Sequence, residues 1–224
     1  MDTKPLYVAF FKTGTTTINS VLKNKIISFG HQIPNDIKYD FENKESFITI
    51  RNPIDWYISM YQFKTMSVTP PKDFGIMDNN SFQDFINDFV FCNNIEKWEK
   101  PWKNVTRQRL FKKYVIGKKI KIGYFTFAFI MYIFKNPEDI LKQDDILDYL
   151  KKNFNKKCVK HIIKLENLDE DYNKLVKNFN YPETEVNFPV TNKSIKKNIN
   201  KNDYKYLIEL DKFIYDNFYP EYLS

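Results

Sequence analysis

Short apolar runs alternate along this chain with longer segments of helical periodicity, and that alternation limits the possible folds more than any other feature. Three runs of strand length, Leu6–Phe11, Phe47–Ile50 and Val159–Leu165, each precede a segment whose apolar residues recur every three or four positions. This order favours an α/β domain with a central parallel sheet. No repeat or shift in composition divides the sequence, so we predict a single domain over residues 1–224.

Segments with helical periodicity predict where the helices lie. An acidic start followed by helical periodicity also predicts a helix in "ENLDEDYNKLVKNF", directly after the third strand. The apolar segment Tyr124–Phe134 is too short to span a bilayer and is typical of a buried helix. The other predicted helices are Thr15–Lys25, Pro53–Lys64, Ser81–Phe91, Pro137–Phe154 as one or two helices, and Lys201–Phe218.

Composition narrows the class of protein and of partner. The 21 Phe and 15 Tyr exclude a disordered chain, and two cysteines are too few for a disulfide framework. Neither cysteine has a CxxC partner or a cluster of histidines, so no zinc site is expected. The net charge of +7 favours anionic partners such as nucleotides, nucleic acids, acidic glycans or acidic membranes, although lysine-rich solubility is the simpler explanation. The N-terminal residues show no signal-peptide pattern, so a cytoplasmic location is expected.

The segment "FFKTGTTT", residues 10–17, lies between the first strand and the first helix. In open α/β sheets this edge binds ligands, and a helix N-terminus offers unpaired N–H groups to an anion. Gly14 lets the backbone approach a ligand closely. The lysine precedes a single glycine, so the Walker signature of kinases is not met. A threonine-rich helix cap without a ligand is the alternative interpretation.

A second group of polar residues follows the second predicted strand, in "RNPIDWYIS". Arg51 stands at the strand end and Ser59 follows eight residues later on the predicted helix. An arginine and a hydroxyl at a strand end can hold a second phosphate. Two anion sites at neighbouring strand ends suggest a ligand with phosphates at both ends of a nucleoside.

These two motifs resemble those of the sulfotransferases that use 3′-phosphoadenosine 5′-phosphosulfate (PAPS). The family's first loop, P-K-[ST]-G-[ST]-[ST], is similar to "FKTGTTT", with Phe11 where proline is usual. Its second motif, R-[ND]-P-x-[DE] with a serine eight residues after the arginine, matches "RNPIDWYIS". "IKLENLDEDYNKL" and "NKSIKKN" are similar to later parts of the family. The R-K-G-x-x-G of the small-molecule cytosolic branch is missing, so the glycan-modifying branch is the closer match.

The resemblance implies a three-layer α/β/α domain of the P-loop NTPase type that moves a sulfuryl group to a hydroxyl or amine acceptor without a metal. It implies that Lys12 acts on the leaving 5′-phosphate and that Lys193 closes over the nucleotide. Histidine titrates near neutral pH, and His31 lies in the interval where the family often has its base, so His31 is the predicted base. Glu42, Glu45 and Asp36 are the reserves. The implied PAPS-binding residues are Lys12, Thr13, Gly14, Thr15, Thr16, Thr17, Arg51, Ser59 and Lys193.

Some predictions and alternatives depend on charge alone. Residues 100–121 carry nine Lys or Arg and no acidic residue, which predicts either an anionic-acceptor site or a solvated basic surface. A basic nucleic-acid-binding protein has the right charge, but no known reader motif is found and no nucleic-acid partner is expected. A nucleotide kinase with a degenerate P-loop is the other alternative. The sequence names neither the acceptor nor the oligomeric state.

Overall fold

The strands form a central parallel sheet. The structure, a computed structural model, describes residues 4–37, 39–41, 43–66, 81–89, 110, 113–114, 122–178, 186–189 and 199–223. Its strands are β1 (Leu6–Val8), β2 (Ile27–Ser28), β3 (Ser46–Ile50) and β4 (His161–Lys164), in the order β2-β1-β3-β4. Neighbouring strands are parallel throughout, with Val8 opposite Ile48 and Ile50 opposite Lys164. The predicted α/β class with a parallel sheet is confirmed.

Helices follow the strands, as the periodicity predicts. The first strand leads into α1 and the third leads directly into α2. The helices within the described ranges are α1 (Thr15–Val21), α2 (Pro53–Met66), α3 (Phe82–Phe89), α4 (Tyr124–Ile133), α5 (Glu138–Leu141), α6 (Ile146–Asn153), α7 (Leu168–Asn178), α8 (Tyr206–Leu210) and α9 (Lys212–Phe218). Short 3₁₀ turns occur at Pro34–Asp36, Phe154–Lys156, Leu165–Asn167, Lys201–Tyr204 and Pro220–Tyr222. None of the helices described is long and apolar enough to cross a membrane.

The chain divides into two compact units, and each is built from three segments. The first unit comprises Met1–Arg51, Phe129–Pro137 and Lys152–Lys193, and the second comprises Asn52–Ala128, Glu138–Lys151 and Ser194–Ser224. The prediction of a single domain over residues 1–224 stays a prediction.

The core of the first unit lies between the sheet and two helices. Tyr7 and Phe47 stack at 4.9 Å between ring centroids, and Tyr172 of α7 meets Phe47 edge-on at 5.8 Å. Burial of such large apolar surfaces is the main stabilising contribution. The buried cluster comprises Tyr7, Ala9, Ile18, Leu22, Ile26, Phe47, Ile163, Leu168, Tyr172, Leu175, Val176 and Phe188.

The second unit has an aromatic core around α2. Trp56 is fully buried and packs against Tyr57 at 5.1 Å, Tyr124 at 6.2 Å and Phe125 at 5.3 Å between ring centroids. From the sequence alone, Trp56 is equally consistent with a core residue and with a residue that stacks on a ligand. The structure places it in the core. The helix α2 begins at Pro53, and the Asn52 side chain caps it by accepting from the backbone N–H groups of Ile54 and Asp55.

Several predicted boundaries differ from the observed ones. The first strand ends at Val8 rather than at Phe11, and α1 ends at Val21 rather than at Lys25. The predicted helix Lys201–Phe218 is a 3₁₀ turn followed by α8 and α9, which are separated at Asp211. The edge strand β2 has only two residues, too few to produce a periodic signal.

Candidate functional site

Two predicted anion-binding residues lie at neighbouring strand ends. Lys12 belongs to the Lys12 loop, residues Ala9–Gly14, which joins β1 to α1, and Arg51 directly follows β3. Because β1 and β3 are adjacent and parallel, both residues belong to the carboxyl edge of the sheet. This is the edge at which α/β proteins bind ligands. Both side chains are half-buried.

The backbone of the Lys12 loop adopts an unusual conformation at two positions. Gly14 has φ 81°, and a Cβ there would lie 2.6 Å from Cδ1 of Leu165. The backbone conformation therefore favours glycine at residue 14, and a side chain there would also have to displace the end of Leu165. Lys12 has φ 62°, which costs a residue with a Cβ about 1–2 kcal/mol. A strained residue in a motif predicted to bind a ligand fits the tendency of strain to occur at functional sites.

A network of buried hydroxyls holds the loop in this conformation. The Thr13 hydroxyl donates to the Phe10 carbonyl at 2.6 Å, and the Thr49 hydroxyl donates to the Thr13 carbonyl at 2.9 Å. The Tyr7 hydroxyl lies 3.1 Å from Oγ1 of Thr49, and burial raises the pKa of Tyr7 to about 12, so it stays protonated. The Thr15 hydroxyl also donates to the Phe10 carbonyl, at 3.1 Å.

This network limits how the threonines of the motif, residues 13 and 15–17, can bind an anion. Thr13 and Thr15 each donate their one hydroxyl hydrogen within the loop, so they can serve an anion only through their backbone N–H groups. The Thr16 side chain is exposed, and that of Thr17 is 7% exposed. Sequence reasoning missed Tyr7 and Thr49. The signal for them is a hydroxyl near the end of each of two otherwise apolar strands.

The electrostatics of Lys12 indicate a site that favours an anion. Burial, and then the nearby positive charge of Arg51, lower the pKa of Lys12 to about 8. Two cations that lie near one another on a partly desolvated edge repel, and an anion between them would relieve that repulsion. The arrangement can therefore neutralise negative charge that develops on a bound phosphate.

His31 is anchored to the same loop. Its Nδ1 lies 2.8 Å from the backbone carbonyl oxygen of Ala9, the first residue of the Lys12 loop. A carbonyl can only accept, so the Nδ1 atom carries the hydrogen. In the neutral imidazole, Nε2 is then the unprotonated nitrogen, which is the form required of a base. The side chain of His31 is exposed.

The reserve candidates for the base are less well placed or lie outside the description. Glu45 precedes β3 and so lies at the amino end of that strand, whereas Arg51 follows its carboxyl end. It is also engaged, 3.0 Å from Nε2 of His161 and 3.1 Å from Nζ of Lys160. Asp36 is exposed in a 3₁₀ turn, and Glu42 lies outside the described residues. Glu45 is therefore a poor candidate for the base.

The roles of the remaining predicted residues rest on the sequence alone. Ser59 lies on α2 in the second unit, its side chain half-buried, and its role rests on the sequence motif alone. Lys193 lies outside the described residues. So does the basic segment 100–121, apart from residues 110, 113 and 114.

Comparisons of this chain with protein-family models, with curated proteins and with solved structures found no match. The proposals below therefore rest on the residues of this chain and on the sequence resemblance of its two motifs.

Proposed function

We propose that this protein is a sulfotransferase that moves a sulfuryl group from PAPS to a hydroxyl or amine acceptor. The observation that carries the proposal is the convergence of Lys12 and Arg51 at the carboxyl ends of two adjacent parallel strands. The fixed orientation of His31 beside the same loop supports it further. The sequence resemblance supplies the nature of the nucleotide, and a glycan is one class of acceptor.

In this proposal each residue has a separate task. Lys12 and the backbone N–H groups of residues 14–17 neutralise the 5′-phosphosulfate, while Arg51 binds the 3′-phosphate, with Ser59 added by the sequence motif. The hydroxyl proton of the acceptor moves to Nε2 of His31, and the acceptor oxygen bonds to sulfur. The bond between sulfur and the 5′-phosphate oxygen breaks, and 3′-phosphoadenosine 5′-phosphate leaves with the electron pair. Catalysis depends on orientation and on charge stabilisation in the transition state.

Nucleotide binding without added metal tests the first half of the proposal. We expect 3′-phosphoadenosine 5′-phosphate to raise the melting temperature clearly more than AMP or ATP does, because specific binding stabilises the folded state. Arg51→Ala should weaken binding of this nucleotide by roughly 2–5 kcal/mol and leave AMP nearly unaffected. Lys23→Ala, at an exposed lysine, is the control. Equal stabilisation by AMP would overturn the 3′-phosphate assignment, and a requirement for magnesium would favour a nucleotide kinase.

The lowered pKa of Lys12 gives a second, independent measurement. At pH 9 a lysine with a pKa of about 8 is mostly neutral, and an anion bound beside it favours the charged form. Binding of 3′-phosphoadenosine 5′-phosphate at pH 9 should therefore take up a fraction of a proton, measured by calorimetry in buffers of different ionisation enthalpy. Lys12→Met should abolish the uptake, and Lys23→Met should retain it. Binding without uptake in the parent protein would remove Lys12 from the phosphate site.

Turnover measurements test the second half of the proposal, the transfer of the sulfuryl group. With radiolabelled PAPS and a panel of alcohols, phenols, amines and glycans, transfer of the label identifies the acceptor class. Lys12→Ala should lower kcat more than it weakens binding of the product nucleotide, because its contact grows in the transition state. A fall in affinity with unchanged kcat would make Lys12 a binding residue only.

A further inference from the structure

The segment that carries His31 is fastened by two side chains from a distant part of the chain. The hydroxyl of Tyr132 donates to the backbone carbonyl of His31 at 3.0 Å. The ammonium group of Lys135 donates to the carbonyls of Pro34 and Ile37, each at 2.9 Å. We call residues His31–Ile37 the histidine segment. Three of its backbone carbonyls are thus bound by residues about one hundred positions later in the sequence, within the same unit.

Tyr132 also contacts the loop that bears Lys12. Its ring is fully buried and lies 5.0 Å from the ring of Phe10 and 6.1 Å from that of Phe11, between centroids. The ring of Phe11 meets the imidazole of His31 edge-on at 6.5 Å. One buried side chain therefore packs against the residues preceding Lys12 and binds the backbone of His31. A shift of Tyr132 would change the position of the imidazole relative to the loop.

We propose that Tyr132, assisted by Lys135, is a positioning residue that holds His31 with its Nδ1–H on the Ala9 carbonyl and its Nε2 open to the acceptor. This inference rests on the proposed function for the role of Nε2, but the fastening itself is a property of the protein without substrate. Tyr132 and Lys135 do not touch the reacting atoms. They act by fixing the backbone from which the imidazole projects, and a small displacement of a base is costly to turnover.

The second histidine of the chain provides an internal control. Nε2 of His161 lies 3.0 Å from a carboxylate oxygen of Glu45, which can only accept, so Nε2 carries a hydrogen there. The two histidines are therefore expected to differ, with Nδ1–H in neutral His31 and Nε2–H in His161. Because the chain has two histidines in all, their signals are resolved without crowding.

Long-range ¹H–¹⁵N correlation spectra of the substrate-free protein test the fastening. His161→Gln assigns the two imidazoles. At a pH where His31 is neutral, the parent should show the Nδ1–H form for His31. Tyr132→Phe, which removes only the hydroxyl, should convert His31 to a mixture of both forms and leave His161 unchanged. Tyr222→Phe, at an exposed tyrosine, is the matched control. An Nε2–H signature for His31 in the parent, or an unchanged His31 in Tyr132→Phe, would overturn the proposal.

Steady-state kinetics distinguish a positioning role of Tyr132 from a contribution to stability alone. Tyr132→Phe should lower kcat roughly 10- to 100-fold with little change in KM for PAPS. Lys135→Met should lower kcat in the same direction, and Lys135→Arg should restore most of it by keeping donors for the carbonyls. Equal kcat in the parent and Tyr132→Phe would overturn the positioning role. If the spectra agree but the product nucleotide does not bind, the sulfotransferase function fails and the positioning role fails with it, while the fastening stands.

Discussion

The Lys12 loop of the first unit and a buried carboxylate cluster of the second unit each disfavour the charged form of a buried group, but the surroundings of the two groups differ. We define the Asp211 cluster as Asp211, Tyr57 and Thr126, together with the backbone of Phe125. Oδ1 of Asp211 accepts from the Thr126 N–H at 2.8 Å and from its hydroxyl at 2.7 Å, and Oδ2 accepts from the Tyr57 hydroxyl at 2.8 Å. Tyr57 in turn accepts from the Phe125 N–H at 3.1 Å. A fully buried carboxylate thereby caps the N-terminus of the apolar helix α4.

The Lys12 loop instead has a second positive charge nearby. Its ammonium group lies near the guanidinium of Arg51, and its backbone has a positive φ at Lys12. Hydrogen-bond donors around the Asp211 carboxylate offset part of the cost of burying it, whereas like charges and backbone strain destabilise the folded state. A set of matched hydrogen bonds around a buried group is typical of a structural role, whereas like charges and strain gathered at a sheet edge are typical of a functional site.

The largest expected effect is the loss of stability on substitution of Asp211. Asp211→Ala leaves buried donors of Thr126 and Tyr57 without an acceptor, so the free energy of unfolding should fall by about 3–5 kcal/mol. Asp216→Ala, which removes ion pairs with Lys212 and Lys151 in the same unit, should change it by less than about 1 kcal/mol. Urea unfolding of both variants measures the difference. Similar small effects for both would show that the cluster contributes little.

The Asp211 carboxyl group should also make the unfolding free energy depend on pH. Burial raises the pKa of Asp211 to about 6, so the folded state holds its proton more tightly than the unfolded chain does. The resulting stabilisation is present below about pH 4 and is lost as the pH rises to about 6. The unfolding free energy of the parent minus that of Asp211→Asn should therefore fall by roughly 3 kcal/mol across this window. A difference that is constant with pH would show that Asp211 does not titrate there.

The same comparison shows what sequence can and cannot predict. Continuous apolar runs located β1, β3 and β4, and apolar periodicity located most of the described helices, because a central parallel strand is buried on both faces and a helix on one. The Lys12 and Arg51 motifs fell at the predicted strand ends. Periodicity could not reveal the hydroxyl network, in which Thr49 lies 36 positions from Thr13, or the contact of Tyr132 with His31 across 101 positions. Asp211 stands among apolar residues of helical spacing, so apolar periodicity could not show that α8 and α9 are separate helices.

Substitutions of two glycines in the first unit test how tightly the Lys12 loop is packed. Both have positive φ, but a Cβ on Gly14 meets Leu165 at 2.6 Å, whereas one on Gly30 has no neighbour within 4 Å. Gly30→Ala should cost about 1 kcal/mol of unfolding free energy from its backbone alone, and Gly14→Ala about 2 kcal/mol or more. Thermal or urea unfolding measures both. Equal costs would mean that Leu165 moves aside at no expense.

Strain at Lys12 gives the smallest and most specific effect. Lys12→Met and Lys12→Gly both remove the ammonium group and its repulsion by Arg51, but only glycine adopts φ 62° without steric cost. After allowance for the greater freedom of glycine in the unfolded chain, Lys12→Gly should have an unfolding free energy about 1 kcal/mol higher than Lys12→Met. Urea unfolding of the two variants in parallel measures this difference.

The outcome bears directly on the contrast between the two regions. If Lys12→Gly is the more stable variant and neither variant takes up a proton with 3′-phosphoadenosine 5′-phosphate, the parent keeps a strained lysine at the expense of stability, as expected where function selects the residue. If Lys12→Met is equally stable, the positive φ carries no strain, and only the lowered pKa of Lys12 distinguishes the loop from a satisfied cluster such as that of Asp211.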